Sequence, residues 1–568
     1  MTTYHRVATS EGRERVETTL RGVELLRQPL LNRGSAFSHE ERRALGLEGL
    51  LPAVVSSQDR QAERVYAQIA RKTDPLERYV GLAALQDRNE YLFYRLLLDH
   101  LEELLPIVYT PTVGQASKKF SHIFRRGRGV WVTPEHRGRV REVLAAAPHD
   151  QVRLVVATDN QAILGIGDQG AGGMAIPIGK LAIYCGAAGI HPAETLPVSL
   201  DVGTDNRDLL DDDLYMGWRQ PRLRGDDYDE LVDELVTALA ELFPGVLLQW
   251  EDFRKVNAFT LLERYRERIL SFNDDVQGTG ATALAGLLAA GRISGSPLTG
   301  QRVVIVGGGA AGMGIAHQLR TALAAAGLAG DDLTRAVAVL DSRGLLVDDR
   351  ERLDPFKRRW AWPTALAASH GLGEARDLEA VVARLEPTAL IGTSGQPGLF
   401  TEDLVRQVAA RVERPVIFPF SNPTSLAEAR PEDVYRWTEG RALVAAGSPF
   451  APVVEGGREH RVGQGNNALI FPAVGLGALA GGARTISDEV FTTAAKALAG
   501  AVSEDELAHG QLYPSIDRLR EVTVEIAAAV VRQVAAERGE EMATGVARGT
   551  IEQAMWTPDY PEIIPVLP

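Results

Sequence analysis

The chain has 568 residues, 45% hydrophobic and 24% charged, with ample material for a sizeable core. Its 61 basic and 75 acidic residues give a net charge of −14, which argues against a general nucleic-acid binder because no basic excess is available to neutralise phosphates. A single cysteine, Cys185, excludes an intramolecular disulfide and a thiolate metal cluster; it lies in the apolar run Leu181 to Ile190, which predicts a buried, inert thiol.

Met1 to Arg27 carries charges every few residues and no apolar signal-peptide core, and no run approaches the ~18 apolar residues of a membrane span. The expectation is a cytoplasmic protein that binds neither membrane nor nucleic acid. Residues 1 to about 130 read as mostly helical, with apolar residues at helical spacing over Gln58 to Arg71 and Leu76 to Leu105. This region ends in Pro106-Ile107-Val108-Tyr109-Thr110-Pro111, where two prolines stop the helix and fix the backbone around Tyr109. That arrangement aims a side chain at a site, and it equally suits a structural tyrosine. The basic cluster Lys118, Lys119, Arg125, Arg126 and Arg128 reads as a solvated or inter-subunit face.

From about 131 the pattern turns to strands alternating with helices. Val152 to Ala157 is a β-rich run, followed by a glycine-rich stretch from Gly165 to Gly173 and then Pro177-Ile178-Gly179-Lys180. Lys180 opens an apolar helix whose surroundings would desolvate its amine, and burial beside a cation lowers a lysine pKa as a general base requires. A plain surface lysine is the alternative. Arg219, Arg222 and Arg224 either meet an anion or pair with Asp226 and Asp227. An amphipathic helix is expected over Asp229 to Leu242.

Two acidic pairs then follow strand-like runs: Glu251-Asp252 after Val246 to Trp250, and Asp274-Asp275 after Ile269 to Phe272 and Asn273. Singly, the first reads as a solvated loop and the second as a helix N-cap. Together they suggest a hard-metal site, since carboxylate oxygens are what Mg²⁺ and Mn²⁺ prefer and strand C-termini converge on the ligand crevice of α/β sheets.

Gly307, Gly309 and Gly312 stand at G-x-G-x-x-G spacing, directly after the apolar Val303 to Val306 and before a helix over Ile315 to Ala326. This is the context of a dinucleotide pyrophosphate at a helix N-terminus. The next strand, Ala336 to Leu340, ends in Asp341, placed for a ribose hydroxyl, 29 residues past Gly312 instead of the usual ~20, so the first helix and its loop must be long. Asp341 disfavours a 2′-phosphate while Ser342-Arg343 would accept one, so NAD is expected with NADP possible. Further strand ends carry Ser421-Asn422-Pro423-Thr424 and Gly463 to Asn467, where amides either bind carboxylate oxygens or form turns. The tail, about 539 to 568, ends in a proline-punctuated extended segment suited to packing on a neighbour.

Tyr109-Thr110-Pro111-Thr112-Val113-Gly114, the Gly165 to Lys180 stretch, Glu251-Asp252-Phe253, Phe272 to Thr279, Ser421 to Thr424 and Gly463 to Asn467 together resemble the malic enzymes, in order and over nearly the whole chain. The resemblance implies oxidative decarboxylation of malate to pyruvate and CO₂ with NAD (or NADP) and Mn²⁺ or Mg²⁺, by a homo-oligomer, a dimer or tetramer. It implies Glu251, Asp252 and Asp275 as metal ligands, Lys180 as general base, Tyr109 as the acid that protonates the enolate carbon, and Asp274 as their tuner. Asn422 and Asn467 match positions that hold the substrate carboxylate, Asn422 also facing the cofactor, and Leu164 matches a substrate-site position.

The implied fold class is α/β: a mainly helical N-terminal domain (1–130), a substrate and metal domain (131–274, completed by about 465–538), a Rossmann-type NAD-binding domain (275–464) and a tail (539–568). One departure stands out. Family members often carry an arginine two residues before the Leu164 position, where this chain has Ala162, so either another cation, Arg219 or Arg222, replaces it or the substrate preference differs. Malolactic enzymes, which share the fold, Mn²⁺ and NAD but release lactate, are the alternative, and a catalytically silent dinucleotide sensor is a third reading.

Overall fold

The computed structural model describes residues 4–8, 14–147, 149, 151–163 and 165–566. The chain forms two units, Met1–Val156, Gln169–Pro244 and Met555–Pro568 in one, Ala157–Asp168 and Gly245–Ala554 in the other.

In the first unit the strands Tyr4–Ala8 and Glu14–Thr18 pair antiparallel, and Glu562–Pro565 adds in parallel to the second. The sequence reads this N-terminal region as helical. The strands escape a local reading because one of their partners lies at the far end of the chain. For the same reason the C-terminal segment packs on its own chain, with Trp556 against Tyr91 at 5.4 Å between ring centres and the Tyr560 hydroxyl accepting from Asn89 at 2.8 Å. Helices Gln58–Ala70, Pro75–Gln86, Glu90–Asp99 and Leu101–Val108 follow. The single helix expected over Leu76 to Leu105 is thus three. Asn89, extended at φ −154°, breaks it and caps the next helix by accepting the Leu92 N–H at 2.9 Å, and His100 breaks it again.

Strands Val130–Val132 and Thr195–Leu200 pair in parallel. Apart from Lys180, the helix Ala175–Ala187 is apolar on all sides, and it is buried at every position but Ile178, as a core helix must be.

The second unit holds a seven-stranded sheet in the order Gly344–Leu345, Val337–Asp341, Val303–Val306, Ala389–Gly392, Val416–Pro419, Leu443–Ala446, Gly463–Gln464. All neighbours are parallel except the short first edge. Four-residue strands buried on both faces, such as Val303–Val306, are what a sheet covered by helices demands. The strand order reverses between Val303–Val306 and Ala389–Gly392, which marks the ligand crevice of such sheets. The long interval before Asp341 is filled by two helices, Ala310–Ala325 and Gly330–Ala336. Helices Thr279–Ser294, Phe471–Ala480, Asp488–Ala501 and Leu519–Glu537 pack together in this unit. Among the described residues no helix is long and apolar enough to cross a membrane.

Candidate active site

The strands Leu247–Glu251 and Ser271–Asn273 run parallel and in register, Leu248 opposite Ser271 and Trp250 opposite Asn273. Parallel neighbours end at the same edge, so Glu251-Asp252 and Asp274-Asp275 leave the sheet side by side. Ligand oxygens of Glu251, Asp252 and Asp275 all lie within 4.8 Å of one another, and these residues are only 3%, 3% and 8% exposed. Three buried carboxylates at such spacing form an all-oxygen donor set, which fits a hard divalent cation.

The surrounding groups orient the set. Gln249, on the same strand face as Glu251, donates to its Oε2 at 2.9 Å, and the Asp252 N–H donates to Asp275 Oδ2 at 2.8 Å. Asp252 itself takes φ +59°, an uncommon left-handed conformation for a non-glycine residue. The Asp252 carbonyl accepts the Ala162 N–H at 2.9 Å, so Ala162 adjoins the carboxylate set. Gln249 was not singled out from the sequence, although its spacing of two from Glu251 puts both on one strand face.

Asp274 is fully buried in the wide turn Asp274–Gly278 that opens the helix Thr279–Ser294. The turn is held by Asn273, whose Oδ1 accepts the Val276 N–H at 3.0 Å. The Asn467 amide donates to Asp274 Oδ2 and to its carbonyl, each at 3.2 Å, and to Thr279 Oγ1 at 3.0 Å. Gly278 is required here, since a Cβ would sit 1.8 Å from Asp274 Oδ1. The two neighbouring amides thus divide their work: Asn466 caps the turn Asn467–Leu469 by accepting the Ala468 N–H at 2.9 Å, and Asn467 reaches Asp274. Asn422 stands apart, its Oδ1 accepting the Ser448 hydroxyl at 2.6 Å. Leu164 lies outside the described residues.

The loops leaving the two strands at the order reversal line a cleft of about 490 Å³, together with Lys255, Asp341, Lys357 and Asp377. Gly307, with φ +132°, turns the chain, and a Cβ on Gly312 would meet the Gly307 carbonyl at 1.8 Å, so both positions need glycine for the helix Ala310–Ala325 to start where it does. That helix N-terminus suits a pyrophosphate.

Asp341 closes the cleft at the end of its strand. It accepts from Arg350 at 2.9 and 3.0 Å, from Lys357 at 2.7 Å and from the Arg343 N–H at 2.9 Å. Burial alone would raise its pKa, but the hydrogen bonds from Arg350 and Lys357 outweigh this and hold it down at about 2. Neither cation was picked out from the sequence; they come from a later segment that only the fold returns to Asp341.

In the first unit, Tyr109 follows the helix Leu101–Val108, its N–H on the Leu105 carbonyl at 2.9 Å, and is 7% exposed. Lys180 is 1% exposed on the helix Ala175–Ala187, and so is no surface lysine. Its Nζ lies 5.6 Å from the centre of the Tyr109 ring. Cys185 on the same helix is buried, and that burial pushes its thiol pKa up to about 12, only partly offset by hydrogen bonds with Tyr94 and Thr195.

The arginine segment differs from expectation. Arg219 is exposed and donates to the carbonyls of Asp212 (2.6 Å), Tyr215 (3.3 Å) and Leu210 (3.4 Å), so its guanidinium pins its own loop. Arg224 pairs with Asp205, and Asp227 is taken by Arg137 at 3.0 Å. Arg222 is 5% exposed.

Known proteins resemble this chain along most of its length. Residues 86–266 match the family model "Malic enzyme, N-terminal domain" and residues 276–535 match "Malic enzyme, NAD binding domain". The chain is 45% identical over 558 residues to NAD-dependent malic enzyme 3 of Bacillus subtilis, covering 96% of this chain and 98% of that one. It is 47% identical over 542 residues to the NAD-dependent malic enzyme of Sodalis glossinidius, covering 95% and 96%. Among solved structures, the malic enzyme of Entamoeba histolytica superposes with a TM-score of 0.55 at 21% identity, over 89% of this chain and 90% of that one. The malic enzyme of Pyrococcus horikoshii gives 0.53 at 23%, over 80% and 89%. These two likenesses speak to the fold.

Proposed function

The chain belongs to the malic enzyme family, and from that premise we propose that it oxidatively decarboxylates L-malate to pyruvate and CO₂ while reducing NAD, with a divalent metal. The observation that carries this reading is the buried trio Glu251, Asp252 and Asp275 in the same unit as a glycine-lined dinucleotide cleft. When bound at these residues, Mn²⁺ or Mg²⁺ supplies Lewis acidity and NAD supplies a hydride acceptor.

The remaining chemistry falls to the chain's own side chains. Lys180 takes the malate hydroxyl proton as the C2 hydrogen leaves as hydride. Loss of CO₂ then leaves an enolate whose C3 needs one proton, which Tyr109 gives. One proton is removed and one returned, so the pair ends each turnover as it began if the proton passes from Lys180 to Tyr109. Their proximity supports that passage. Asp274, held by Asn467, tunes these groups; Asn467 and Asn422 orient the substrate carboxylate, with Leu164 beside it. Asp341 takes the adenosine ribose and favours NAD over NADP.

The division into a helical region (1–130), a substrate and metal region (131–274 with about 465–538), a cofactor region (275–464) and a tail (539–568) is part of this reading. So are a homo-oligomer, dimer or tetramer, and a cytoplasmic location. The test is incubation with L-malate, Mn²⁺ and NAD or NADP, with pyruvate, lactate and reduced cofactor quantified together. Pyruvate and NADH rising one for one is the expected result; lactate without net reduction would replace this reading with the malolactic one and point to Ala162 as its cause.

A further inference from the structure

Glu428 is fully buried, just before the helix Pro431–Trp437, in a segment with no recognisable motif. Its Oε1 accepts three hydrogen bonds, from the Ser394 N–H at 2.8 Å, the Ser394 hydroxyl at 2.8 Å and the Ser421 hydroxyl at 2.6 Å. Its Oε2 accepts the Ser421 N–H at 3.4 Å. Each hydroxyl passes the constraint on: Ser394 Oγ accepts the Gln396 N–H at 3.1 Å, and Ser421 Oγ accepts the Gly395 N–H at 2.8 Å. A hydroxyl donates once, so both rotors are fixed, donating to Glu428 and accepting from backbone. The Glu428 carbonyl also takes the Phe400 N–H at 3.0 Å, at the far end of the same loop.

The carboxyl gains this place because Gly392 has no side chain; a Cβ there would lie 2.4 to 2.6 Å from the Glu428 side chain. Gly392 ends one strand, Pro419 ends its parallel neighbour, and the loops after them carry Ser394 and Ser421. Thr393, Ser394 and Gln396 line the cofactor cleft, and Ser421 precedes Asn422. Burying a carboxyl group costs free energy unless its hydrogen bonds are made, and here one acid is satisfied by two loops at once.

We propose that Glu428 is a positioning residue of the cofactor cleft, a buried clamp that holds the Thr393–Gln396 loop and the Ser421-Asn422 loop in fixed register so that the dinucleotide meets a preformed site. The inference rests on the function proposed above for that cleft. Glu428 touches neither substrate nor cofactor; it acts through Ser394, Ser421 and Asn422.

The test uses the full chain with Glu428→Gln, which keeps the size but turns an acceptor into a donor facing N–H groups, and with the double variant Ser394→Ala/Ser421→Ala, which keeps the acid and removes the relaying hydroxyls. NADH binding followed by fluorescence without malate should weaken about ten-fold in the first variant and several-fold in the second, the loss of one or more charge-assisted bonds. The KM for NAD should rise in step, while Mn²⁺ affinity stays near that of the parent even though the unmade buried bonds lower the melting temperature. Unchanged NADH binding in both variants overturns the proposal. So does parallel loss of NADH binding, Mn²⁺ binding and melting temperature, which marks a general stabilising role. If Glu428→Gln does not fold, the double variant alone decides. A parent protein that fails to bind NADH would instead sink the functional reading beneath it.

Discussion

The amine nitrogen of Lys180 lies 5.6 Å from the centre of the Tyr109 ring, and the residue that allows it is Gly179. A Cβ at Gly179 would stand 2.8 Å from the Val108 carbonyl and 3.5 Å from the Tyr109 ring edge. The glycine therefore lets the Lys180 helix settle against the turn that carries Tyr109. A lysine and a tyrosine buried side by side suit the proposed reaction, which removes a proton and later returns one.

Lys180→Ala is expected to abolish hydride transfer from malate while NADH binding, followed by fluorescence, stays within a few-fold of the parent. Tyr109→Phe should lower turnover by about 10² to 10⁴, the range of a lost general acid or base. Full malate oxidation by the lysine variant would remove Lys180 from the mechanism.

The proposed metal assignment makes the cation a stabilising ligand of the carboxylate trio as well as a Lewis acid. A cation that binds only the folded chain raises the melting temperature by mass action, so Mn²⁺ should raise it for the parent. Asp275→Asn should lower Mn²⁺ affinity by one to two orders of magnitude and shrink that thermal shift; Gln249→Leu, which removes only a supporting bond, should weaken affinity by about ten-fold, at the low end of such effects. A parent-like Mn²⁺ titration for Asp275→Asn would contradict the ligand assignment.

Asp341 should exclude a 2′-phosphate even though two cations sit on it. In Asp341→Ala, Arg350 and Lys357 lose their partner, and the KM for NADP is expected to fall while that for NAD rises. Because its pKa is depressed to about 2, Asp341 contributes stability that is fully present above its unfolded pKa of about 3.9 and lost as pH falls toward about 2. Cofactor affinity should accordingly show no inflection from Asp341 between about pH 5 and 9. Asp341→Ala should lose less stability than the parent on acidification through that acid window, and an equal loss would contradict the assignment.

Much of this was legible in the chain. The acidic pairs, the glycine spacing and the proline-flanked tyrosine each sit where a short strand or helix ends, and local pattern finds such ends well. What escaped depends on distant partners. Lys357 meets Asp341 across 16 residues, Glu428 reaches back to Ser394, and the strand Glu14–Thr18 pairs with a segment near residue 563. Asn89 shows the opposite limit: its capping chemistry was readable, yet the unbroken apolar spacing from Leu76 to Leu105 masked it.

The expectation that another cation serves a malate carboxylate in place of an arginine at Ala162 can be tested at Arg219 and Arg222. With Arg219 committed to its own loop, Arg222→Ala is expected to raise the KM for malate about ten-fold or more, as loss of a charge-assisted bond of ~1.5 to 3 kcal/mol implies, with the KM for NAD little changed. Arg219→Ala should leave both within a few-fold. An unchanged KM in Arg222→Ala would place the carboxylate partner elsewhere.

The most direct measurement follows L-malate deuterated at C2 with Mn²⁺ and NAD. The account predicts that the deuterium appears on the reduced cofactor in equal amount to the pyruvate formed. Deuterium recovered at C2 of lactate, with no net reduced cofactor, would contradict it.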